Sequence, residues 1–391
     1  MRFIKEIEKI EGKKIIVRVD FNTPIKNGKV LDNSRIQSSI PTIKYLSEKG
    51  AKVIIISHLG RPKGRIDENL RLDNVVGELS DLLGKKVNKF PNYFDEEVKN
   101  GVDKMQNGEV IMLENIRFSP NEDGNKGTLA KDLASLADIF VLDGFSVAHR
   151  TDASVVGIPK FIPSYVGFLV EKELKNLNKV LENPEDPFVV VLGGAKSETK
   201  VPLIEGLSEI ADLFLVGGAV ANSFLKKLGY GVGNSLNSDF ESEKIMSLIE
   251  QKNIILPVDL VVGEKDGSRN NVVNVEENPH SICLGSNVIL DIGPKTRELF
   301  ANKLQNAKTI LWNGSLGYFE QKPYDEGTNY LIKTIVKVSN LGAFSVVGGG
   351  ETIEVIKKRG FEKQIGFIST GGGAMLEYLS GKDLPGLKIL E

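Results

Sequence analysis

Short apolar runs alternate with stretches of helical periodicity along the whole chain, and this alternation constrains the fold more than any other feature. It predicts an α/β fold with parallel sheets. The runs of the first half end in polar or basic residues: IIVRVDFN (15–22), VIIISHLGR (53–61), VIMLENIRF (110–118) and IFVLDGFSVAHR (139–150). Those of the second half end in glycines: VVVLGGAK (189–196), LFLVGGA (213–219), FSVVGGGET (344–352) and FISTGGGA (367–374). Ligands bind beyond the carboxyl ends of parallel strands, so the two halves are predicted to hold two different ligands across a cleft.

Length and composition narrow the class of protein. A chain of 391 residues is longer than a single hydrophobic core usually accommodates, so we expect two domains. A hydrophobic fraction of 41%, a charged fraction of 26% and a net charge of −2 are typical of a soluble globular protein with no general attraction for nucleic acid or anionic membranes. The single cysteine, Cys283, excludes an intramolecular disulfide. No apolar run approaches the roughly 20 residues of a membrane span, and we expect a cytoplasmic protein.

Helical periodicity predicts the elements between the strands. The patterns favour helices over Ser34–Lys49, Asn74–Leu83 and Thr128–Ala137, and the first two are followed by glycines that suit a helix C-cap. A longer pattern, Ser164–Glu182, ends before Asn183-Pro184. Because this helix lies between the last basic strand end and the first glycine-rich one, we interpret it as the connection between the domains.

The first half of the chain, whose apolar runs end in polar or basic residues, has the residues of a small-anion site. The side chains at or just after its strand ends and turns are Asp20, Asn22, Arg35, His58, Arg61, Arg117 and Arg150, with His149 beside the last. Several guanidinium groups converging from different loops would hold a small polyanion rigidly. The competing interpretation is a set of salt bridges on a solvated rim. Asp20 is either a general base or the carboxylate that orients an arginine, and we favour the second because a carboxylate beside several arginines should stay ionised.

The second half of the chain, whose apolar runs end in glycines, has the features of a phosphate site but no Walker A motif. Glycines after a strand let backbone amides approach a phosphate, and the following helix adds its positive end. Lys196 and Lys200 follow the first such turn at i and i+4, which would place both on one helical face. Glu351 is a candidate magnesium ligand, and Asn313 and Glu320 follow another apolar run. In the competing interpretation, the glycines are needed only for packing, and Glu351 and Glu320 complement the dipoles of the helices that they precede.

Nine motifs occur in the order and approximate spacing of the phosphoglycerate kinase family. They are RVDFNTP, ISHLGRPKG, LENIRF, DGFSVAHR, LGGAK, DIGP, WNGSLGYFE, VVGGGET and STGGGAMLEYLSGKDLPG. The chain resembles this family from Ile4 to Leu390. The resemblance implies two Rossmann-like, three-layer αβα domains whose parallel sheets face each other across a hinged cleft. It implies a phosphoglycerate-binding domain over 1–165, an interdomain helix over 166–183, a nucleotide-binding domain over 184–375 and a C-terminal segment, 376–391, that returns to the N-terminal domain.

The resemblance also implies roles for individual residues. The 3-phosphoglycerate site would contain Asp20, Asn22, Arg35, His58, Arg61, Arg117 and Arg150. The ATP or ADP site would contain Gly194, Ala195, Lys196, Lys200, Asn313, Glu320, Gly349, Gly350, Glu351 and Thr352, with Glu351 as the ligand of Mg²⁺. The residues nearest the transferred phosphoryl group would be Arg35, Lys200, Gly371, Gly372 and Gly373. The implied activity is reversible phosphoryl transfer between MgATP and 3-phosphoglycerate by a monomer, in glycolysis and gluconeogenesis.

Five places depart from the family pattern. SETK (197–200) stands where the family has VSDK, GGAVANSF (217–224) replaces its GGMA block, and the other three departures concern single residues. Glu351 stands where the family usually has aspartate, Asp152 where it has a basic histidine, and Ser315 where it has proline. Glu351 and Asp152 leave open a catalytically impaired homologue that still binds nucleotide and phosphoglycerate. A glycosyltransferase that uses a nucleotide sugar and a non-catalytic two-lobed binding protein would share the two-lobed shape. Neither of them explains the arginine cluster together with the glycine turns.

Overall fold

The computed structural model describes residues 1–283 and 285–391. In this part of the chain the strands are β1 Lys14–Arg18, β2 Ile25–Lys26, β3 Lys29–Val30, β4 Lys52–Ile56, β5 Asn88–Lys89, β6 Val110–Met112, β7 Ile139–Leu142, β8 Ser164–Val166, β9 Phe188–Leu192, β10 Leu213–Val216, β11 Ile254–Ile255, β12 Asp259–Gly263, β13 Asn271–Asn274, β14 Val288–Ile292, β15 Thr309–Asn313, β16 Phe344–Gly348 and β17 Phe367–Ile368. The α-helices are α1 Ser34–Glu48, α2 Asp73–Leu83, α3 Glu96–Lys104, α4 Leu129–Ala134, α5 Phe168–Glu182, α6 Val201–Leu207, α7 Gly218–Lys227, α8 Glu243–Glu250, α9 Pro294–Leu304, α10 Glu326–Asn340, α11 Gly350–Lys358, α12 Gly373–Leu379 and α13 Pro385–Lys388. Short 3-10 turns include Ile116–Phe118 and Ser197–Thr199, and Ala153–Gly157 form one π-helical turn.

The first compact unit contains Met1–Lys175 and Asp383–Glu391. Its main sheet has six parallel strands in the order β5-β6-β4-β1-β7-β8. The central strands are short apolar runs, and their side chains are buried between the covering helices. The C-terminal residues belong to this unit, where the amide of Gly386 donates to the carbonyl of Ala148 at 2.8 Å.

The second compact unit contains Asn176–Lys382. Its main sheet also has six parallel strands, in the order β11-β10-β9-β15-β16-β17. An antiparallel sheet, β13-β12-β14, was not predicted. The chain's single tryptophan, Trp312, is fully buried in β15. The predicted α/β class with parallel sheets is confirmed.

One predicted helix is wrong at its start. Residues Ser164–Val166 form β8 and pair in parallel with β7, and α5 begins only at Phe168. Gly167 lies between the two elements. A side chain does not fit there, because a Cβ would lie 2.1 Å from Oδ1 of Asp143. The same oxygen accepts a hydrogen bond from the amide of Leu169 at 3.0 Å, in the first turn of α5. Apolar spacing alone does not reveal this boundary. The chain passes from the first unit to the second within α5.

The remaining predicted helices agree with the structure to within a few residues. Helices α1 and α2 match their predicted ranges closely, and α4 is shorter than predicted. Gly84 is the C-cap of α2 in the left-handed conformation, with φ of 66°. Across the described residues, no helix combines the length and apolar character that a membrane span requires.

Candidate active site

The strand order of the first unit explains how the predicted anion-site residues meet. Strands β4, β1 and β7 are neighbours, so their carboxyl ends adjoin. The segments after these strands contain Asp20 and Asn22, His58 and Arg61, and Arg150; Arg35 lies in the first turn of α1 and Arg117 in the 3-10 turn after β6. The amide of Gly60 donates to Oδ1 of Asn22 at 2.9 Å, and Nη1 of Arg117 donates to the carbonyl of Gly60 at 2.9 Å. Arg61 is exposed in the same loop.

Asp20 is a buried carboxylate that faces two of these groups. Its Oδ2 accepts hydrogen bonds from Nη1 of Arg35 and from the hydroxyl of Ser146, and its Oδ1 lies 3.7 Å from Nε2 of His58. Burial opposes ionisation, but the Arg35 guanidinium and the hydrogen bonds from Ser146 and the amide of Asn22 outweigh it and hold the pKa of Asp20 below its usual 3.8. A carboxylate with so low a pKa is a poor base, and this geometry favours the orienting role for Asp20.

His58 is buried among cationic groups. Burial lowers its pKa well below the usual 6.5, and Arg18, Arg117 and Arg150 lower it further against the raising effect of Asp20. The imidazole is therefore neutral at neutral pH. A neutral ring carries one N–H donor and one acceptor, so it contributes a hydrogen bond to this cluster without a further charge.

Arg117 has an unpaired donor inside the cluster. Its Nη2 is buried with no hydrogen-bond partner, and the nearest carboxylate, that of Asp152, lies 3.8 Å away. Burial and the neighbouring Arg150 and Arg18 lower the pKa of Arg117 to about 10, which leaves it charged at neutral pH. A partly buried cation with a buried, unpaired N–H among other cations would be stabilised by a bound anion.

The second unit contains a cavity of about 430 Å³ at the carboxyl ends of its strands. Gly194, Ala195 and Glu351 line one part, apolar side chains such as Ile289 and Leu316 line another, and Glu320 lies at the rim. Gly194 has φ of 85°, which glycine adopts readily. A largely apolar cavity with a few polar groups at one end is typical of a site for a small organic ligand.

Lys200 is buried next to this cavity. Its Nζ donates to Oδ1 of Asn313, and Nδ2 of Asn313 is buried with no partner. Burial lowers the pKa of Lys200 to about 8, although Glu351 acts to raise it. Residues 197–199 form a 3-10 turn and α6 starts only at Val201, so Lys196, which is exposed, does not share a helical face with Lys200. That part of the prediction is wrong.

The later glycine turns position α11 and α12. Gly349 has φ of 96°, and a Cβ there would lie 3.1 Å from Nδ2 of Asn313. Gly350 begins α11, and the hydroxyl of Thr352 accepts from the amide of Gly314 at 2.9 Å. In the last turn, the amide of Gly371 donates to the hydroxyl of Ser369 at 3.1 Å, Gly372 has φ of 53°, and Gly373 begins α12.

Glu351 is the candidate metal ligand. Its Oε2 accepts from the hydroxyl of Ser315 at 3.4 Å, and a Cβ on Gly194 would lie 4.0 Å from the same oxygen. Among the described residues, no group of three or more histidine, cysteine or acidic side chains forms a complete metal site. One carboxylate beside a glycine-rich turn fits magnesium, which is commonly held by one or two carboxylates and the phosphates of a nucleotide.

Comparison with known proteins agrees with these features. Residues 4–382 match the family model described as phosphoglycerate kinase. The chain belongs to the phosphoglycerate kinase family. It is 45% identical to the phosphoglycerate kinase of Thermosipho africanus, over 98% of this chain and 96% of the relative, and 45% identical to that of Rubrobacter xylanophilus, over 100% and 98%. The predicted family membership is confirmed.

Solved structures of phosphoglycerate kinases are similar over the whole chain. The enzyme of Coxiella burnetii superposes with a TM-score of 0.82 at 35% identity, covering 99% of this chain and 98% of that one. The enzyme of Pyrococcus horikoshii superposes with a TM-score of 0.84 at 34% identity, covering 100% and 98%. The fold of the phosphoglycerate kinase family is therefore present along the full length.

Three buried polar residues near these sites were missed by sequence reasoning. Arg18 lies inside the apolar run of β1, and a charge within a buried strand is a signal that it needs a partner. Glu122 supplies a carboxylate 4.0 Å from Arg18, but its loop sequence contains no such signal. Asn222 lines the cavity; its Nδ2 donates to the carbonyl of Leu236 at 3.0 Å, and its buried Oδ1 has no partner.

Proposed function

We propose that the chain catalyses reversible transfer of the γ-phosphoryl group of MgATP to the carboxylate of 3-phosphoglycerate, forming MgADP and 1,3-bisphosphoglycerate. This is the phosphotransferase activity, with a carboxyl group as acceptor, of the family to which the chain belongs. The observation that carries the proposal is the cluster at the ends of β1, β4 and β7. It combines an arginine oriented by a low-pKa carboxylate, a neutral imidazole and a guanidinium with one buried, unpaired donor.

The cluster suits a substrate with two anionic ends. We assign the unpaired Nη2 of Arg117 to the 3-phosphate, together with Arg61, Arg150 and Asn22. We assign Arg35 to the carboxylate, because its side chain is about one-third exposed and Asp20 holds it in one orientation. Guanidinium groups match the planar geometry of carboxylates and of phosphate oxygens, so the two ends would be bound in a defined direction.

We propose that the cavity of the second unit binds the nucleotide. Its apolar part would contact the base, Glu320 at the rim would contact the ribose, and Gly194 and Ala195 would line the phosphate end. Lys200, Lys196, Asn313 and the turn Gly349–Thr352 would contact the phosphates. The unpaired Nδ2 of Asn313 supports this assignment, because it is a buried donor that a phosphate oxygen would satisfy.

The chemistry requires positioning and charge stabilisation rather than a general base. The nucleophile is a carboxylate that is already ionised at neutral pH, and Asp20 is unsuited to proton abstraction. Phosphoryl transfer passes through a loose transition state with charge spread over the equatorial oxygens. Lys200 and the backbone amides of Gly371–Gly373 would stabilise that charge, and Arg35 would hold the acceptor carboxylate. Magnesium, held by Glu351 and the nucleotide phosphates, would neutralise phosphate charge when bound.

A coupled assay tests the proposal. Purified protein is mixed with ATP, Mg²⁺ and 3-phosphoglycerate, and 1,3-bisphosphoglycerate is detected as NADH oxidation by glyceraldehyde-3-phosphate dehydrogenase. We expect turnover in the range of ordinary kinases, about 1–100 s⁻¹. An Arg269→Ala variant, which changes an exposed surface arginine, is the matched control for arginine substitutions in the site. Binding of both substrates without turnover would instead identify a catalytically impaired homologue.

We further propose that the protein acts in the cytoplasm as a monomer, without nucleic acid or membrane partners. The support is the metabolic role of the family and the net charge of −2, which provides no general attraction for polyanions. Light scattering after size-exclusion chromatography measures the mass directly, and a mass near twice 42.8 kDa would contradict the monomer.

A further inference from the structure

Arg18 lies next to His58, and each of the three nitrogens of its guanidinium has a polar neighbour. It is the last residue of β1 and is fully buried. Its Nε donates to the hydroxyl of Ser154 at 2.7 Å, its Nη1 donates to the carbonyl of Val19, and its Nη2 lies 3.3 Å from Nδ1 of His58. Arg18 therefore cannot rotate away from the imidazole without breaking two other hydrogen bonds.

A buried carboxylate lies near the same guanidinium nitrogen that faces His58. Oε1 of Glu122 lies 4.0 Å from Nη2 of Arg18, and Oε2 of Glu122 accepts from the amide of Ser154 at 3.0 Å. Glu122 and Arg18 are both nearly inaccessible to solvent. Burial raises the pKa of the Glu122 carboxyl, and Arg18 and the hydrogen bonds from Ser154 act against that shift. Polar groups this deep are retained only when they are paired and hydrogen-bonded, so the position of Arg18 is set by the fold and not by the substrate.

The contact between Arg18 and His58 determines which imidazole nitrogen carries the proton. A guanidinium has donors and no acceptor, so the nitrogen that it faces must accept. In a neutral ring the other nitrogen then carries the hydrogen. That nitrogen, Nε2, lies 3.7 Å from Oδ1 of Asp20, a residue that the family resemblance places in the 3-phosphoglycerate site.

We propose that Arg18 is a positioning residue that holds His58 as the neutral tautomer with hydrogen on Nε2, so that His58 presents an uncharged N–H donor to the substrate anion. The groups that face His58 are Asp20 and the guanidinium groups of Arg18, Arg117 and Arg150. A second proton on the ring would point at Arg18 and add to the repulsion among three cations. A neutral donor adds a hydrogen bond to an anion without that repulsion. The role toward the substrate, but not the tautomer, rests on the proposed function.

Nitrogen NMR of the ligand-free, full-length protein tests the tautomer directly. The chain has only three histidines, so ¹⁵N-histidine labelling gives a spectrum that His149→Gln and His280→Gln variants assign. We expect His58 to show a protonated Nε2 and an unprotonated Nδ1, unchanged between about pH 6 and about pH 9, a range in which an ordinary histidine titrates. A protonated Nδ1, or a doubly protonated ring at neutral pH, would overturn the proposal whether or not the protein is an active kinase.

Two matched variants test whether Arg18 is the cause. Arg18→Met removes the donor at Nδ1, and His58 should then populate both tautomers and titrate at a higher pH. Arg150→Met removes a nearby positive charge but not the Nδ1 partner, and His58 should keep its tautomer. An unchanged tautomer in both variants would remove Arg18 from this role. The spectrum of the unsubstituted protein decides the tautomer even if Arg18→Met does not fold.

Titration with 3-phosphoglycerate tests the donor role separately. Saturating 3-phosphoglycerate should shift the Nε2 resonance of His58 and leave Nδ1 unprotonated. Saturation, measured by calorimetry, without any shift at Nε2 would exclude His58 as a donor to the substrate and leave the tautomer result intact. Failure to bind 3-phosphoglycerate at all would instead count against the proposed function.

Discussion

Lys200 is a charged group in a place that disfavours charge, and replacing it with methionine measures that penalty. Burial lowers the pKa of Lys200 from 10.5 to about 8, despite the raising effect of Glu351. A pKa unit corresponds to about 1.4 kcal/mol, so at neutral pH the charged ammonium destabilises the folded state by about 3 kcal/mol relative to an ordinary lysine. Methionine has a similar shape without the charge. It also leaves Oδ1 of Asn313 without its donor, which costs about 1–3 kcal/mol.

The expected result is a variant that is inactive but no less stable. At neutral pH we expect the free energy of unfolding of Lys200→Met to exceed that of the unsubstituted protein by about 0–2 kcal/mol. The turnover number should fall by several orders of magnitude, because the variant lacks the cation proposed to stabilise the transferred phosphoryl group. A gain in stability with loss of activity is the expected sign of a residue kept for function.

The pH dependence gives a sharper test than the absolute value. The folded-state pKa of Lys200 lies below its unfolded value of 10.5, so the unsubstituted protein gains stability as pH rises from about 8 toward 10.5. Lys200→Met has no such group. The stability difference between the two proteins should therefore move by about 2 kcal/mol in favour of the unsubstituted protein between neutral pH and about pH 9.5.

Fluorescence of Trp312 during urea unfolding provides the assay. Trp312 is the only tryptophan, is fully buried and precedes Asn313 in β15, so its signal reports unfolding of the second unit. Lys226→Met is the matched control for the loss of a lysine charge, because Lys226 is about half exposed on the same unit. A pH-independent stability difference for Lys200→Met would refute the conclusion that burial of the charged Lys200 destabilises the folded protein. A destabilisation beyond about 3 kcal/mol would refute it as well.

Four further outcomes are expected. The kcat/KM for ATP should fall above about pH 8 as Lys200 loses its proton, and a flat profile to pH 10 would contradict the lowered pKa in the free protein. Arg35→Ala should lower kcat far more than it raises KM, whereas Arg117→Ala should act mainly on the KM for 3-phosphoglycerate; steady-state kinetics with both substrates varied separate the two effects. Asp152→Asn removes the carboxylate 3.8 Å from Arg117 and should lower that KM about threefold to tenfold, so an increased KM would show that Asp152 orients Arg117 and does not compete with the substrate. Asn222→Leu removes a buried acceptor that lines the cavity and should raise the KM for ATP several-fold with no change for 3-phosphoglycerate.

Much of the fold was accessible from the sequence because the relevant signals are local. The apolar runs of β1, β4, β9 and β15 and the periodicity of α1 and α2 are properties of short segments. Failures occurred where neighbours in space decide. Residues 164–166 became β8 because they pair with β7. Lys196 and Lys200 lie on either side of a 3-10 turn in which the buried hydroxyl of Ser197 donates to that of Ser223 at 2.8 Å. The antiparallel sheet β13-β12-β14 likewise depends on pairing between segments that have no distinctive pattern of their own.

The sequence by itself determined the α/β class, the family and the residue types at each set of strand ends. The order of the motifs and the residues that follow each strand are properties of short, contiguous segments. Only the tertiary structure decided the protonation and charge of those residues. Lys200 meets Asn313 across 113 positions, and Arg18 meets Ser154 across 136. The pKa of a group depends on its burial and on the charges within a few ångströms. Those neighbours come from distant parts of the chain, so the lowered pKa of Lys200 and the neutral His58 follow only from the folded protein.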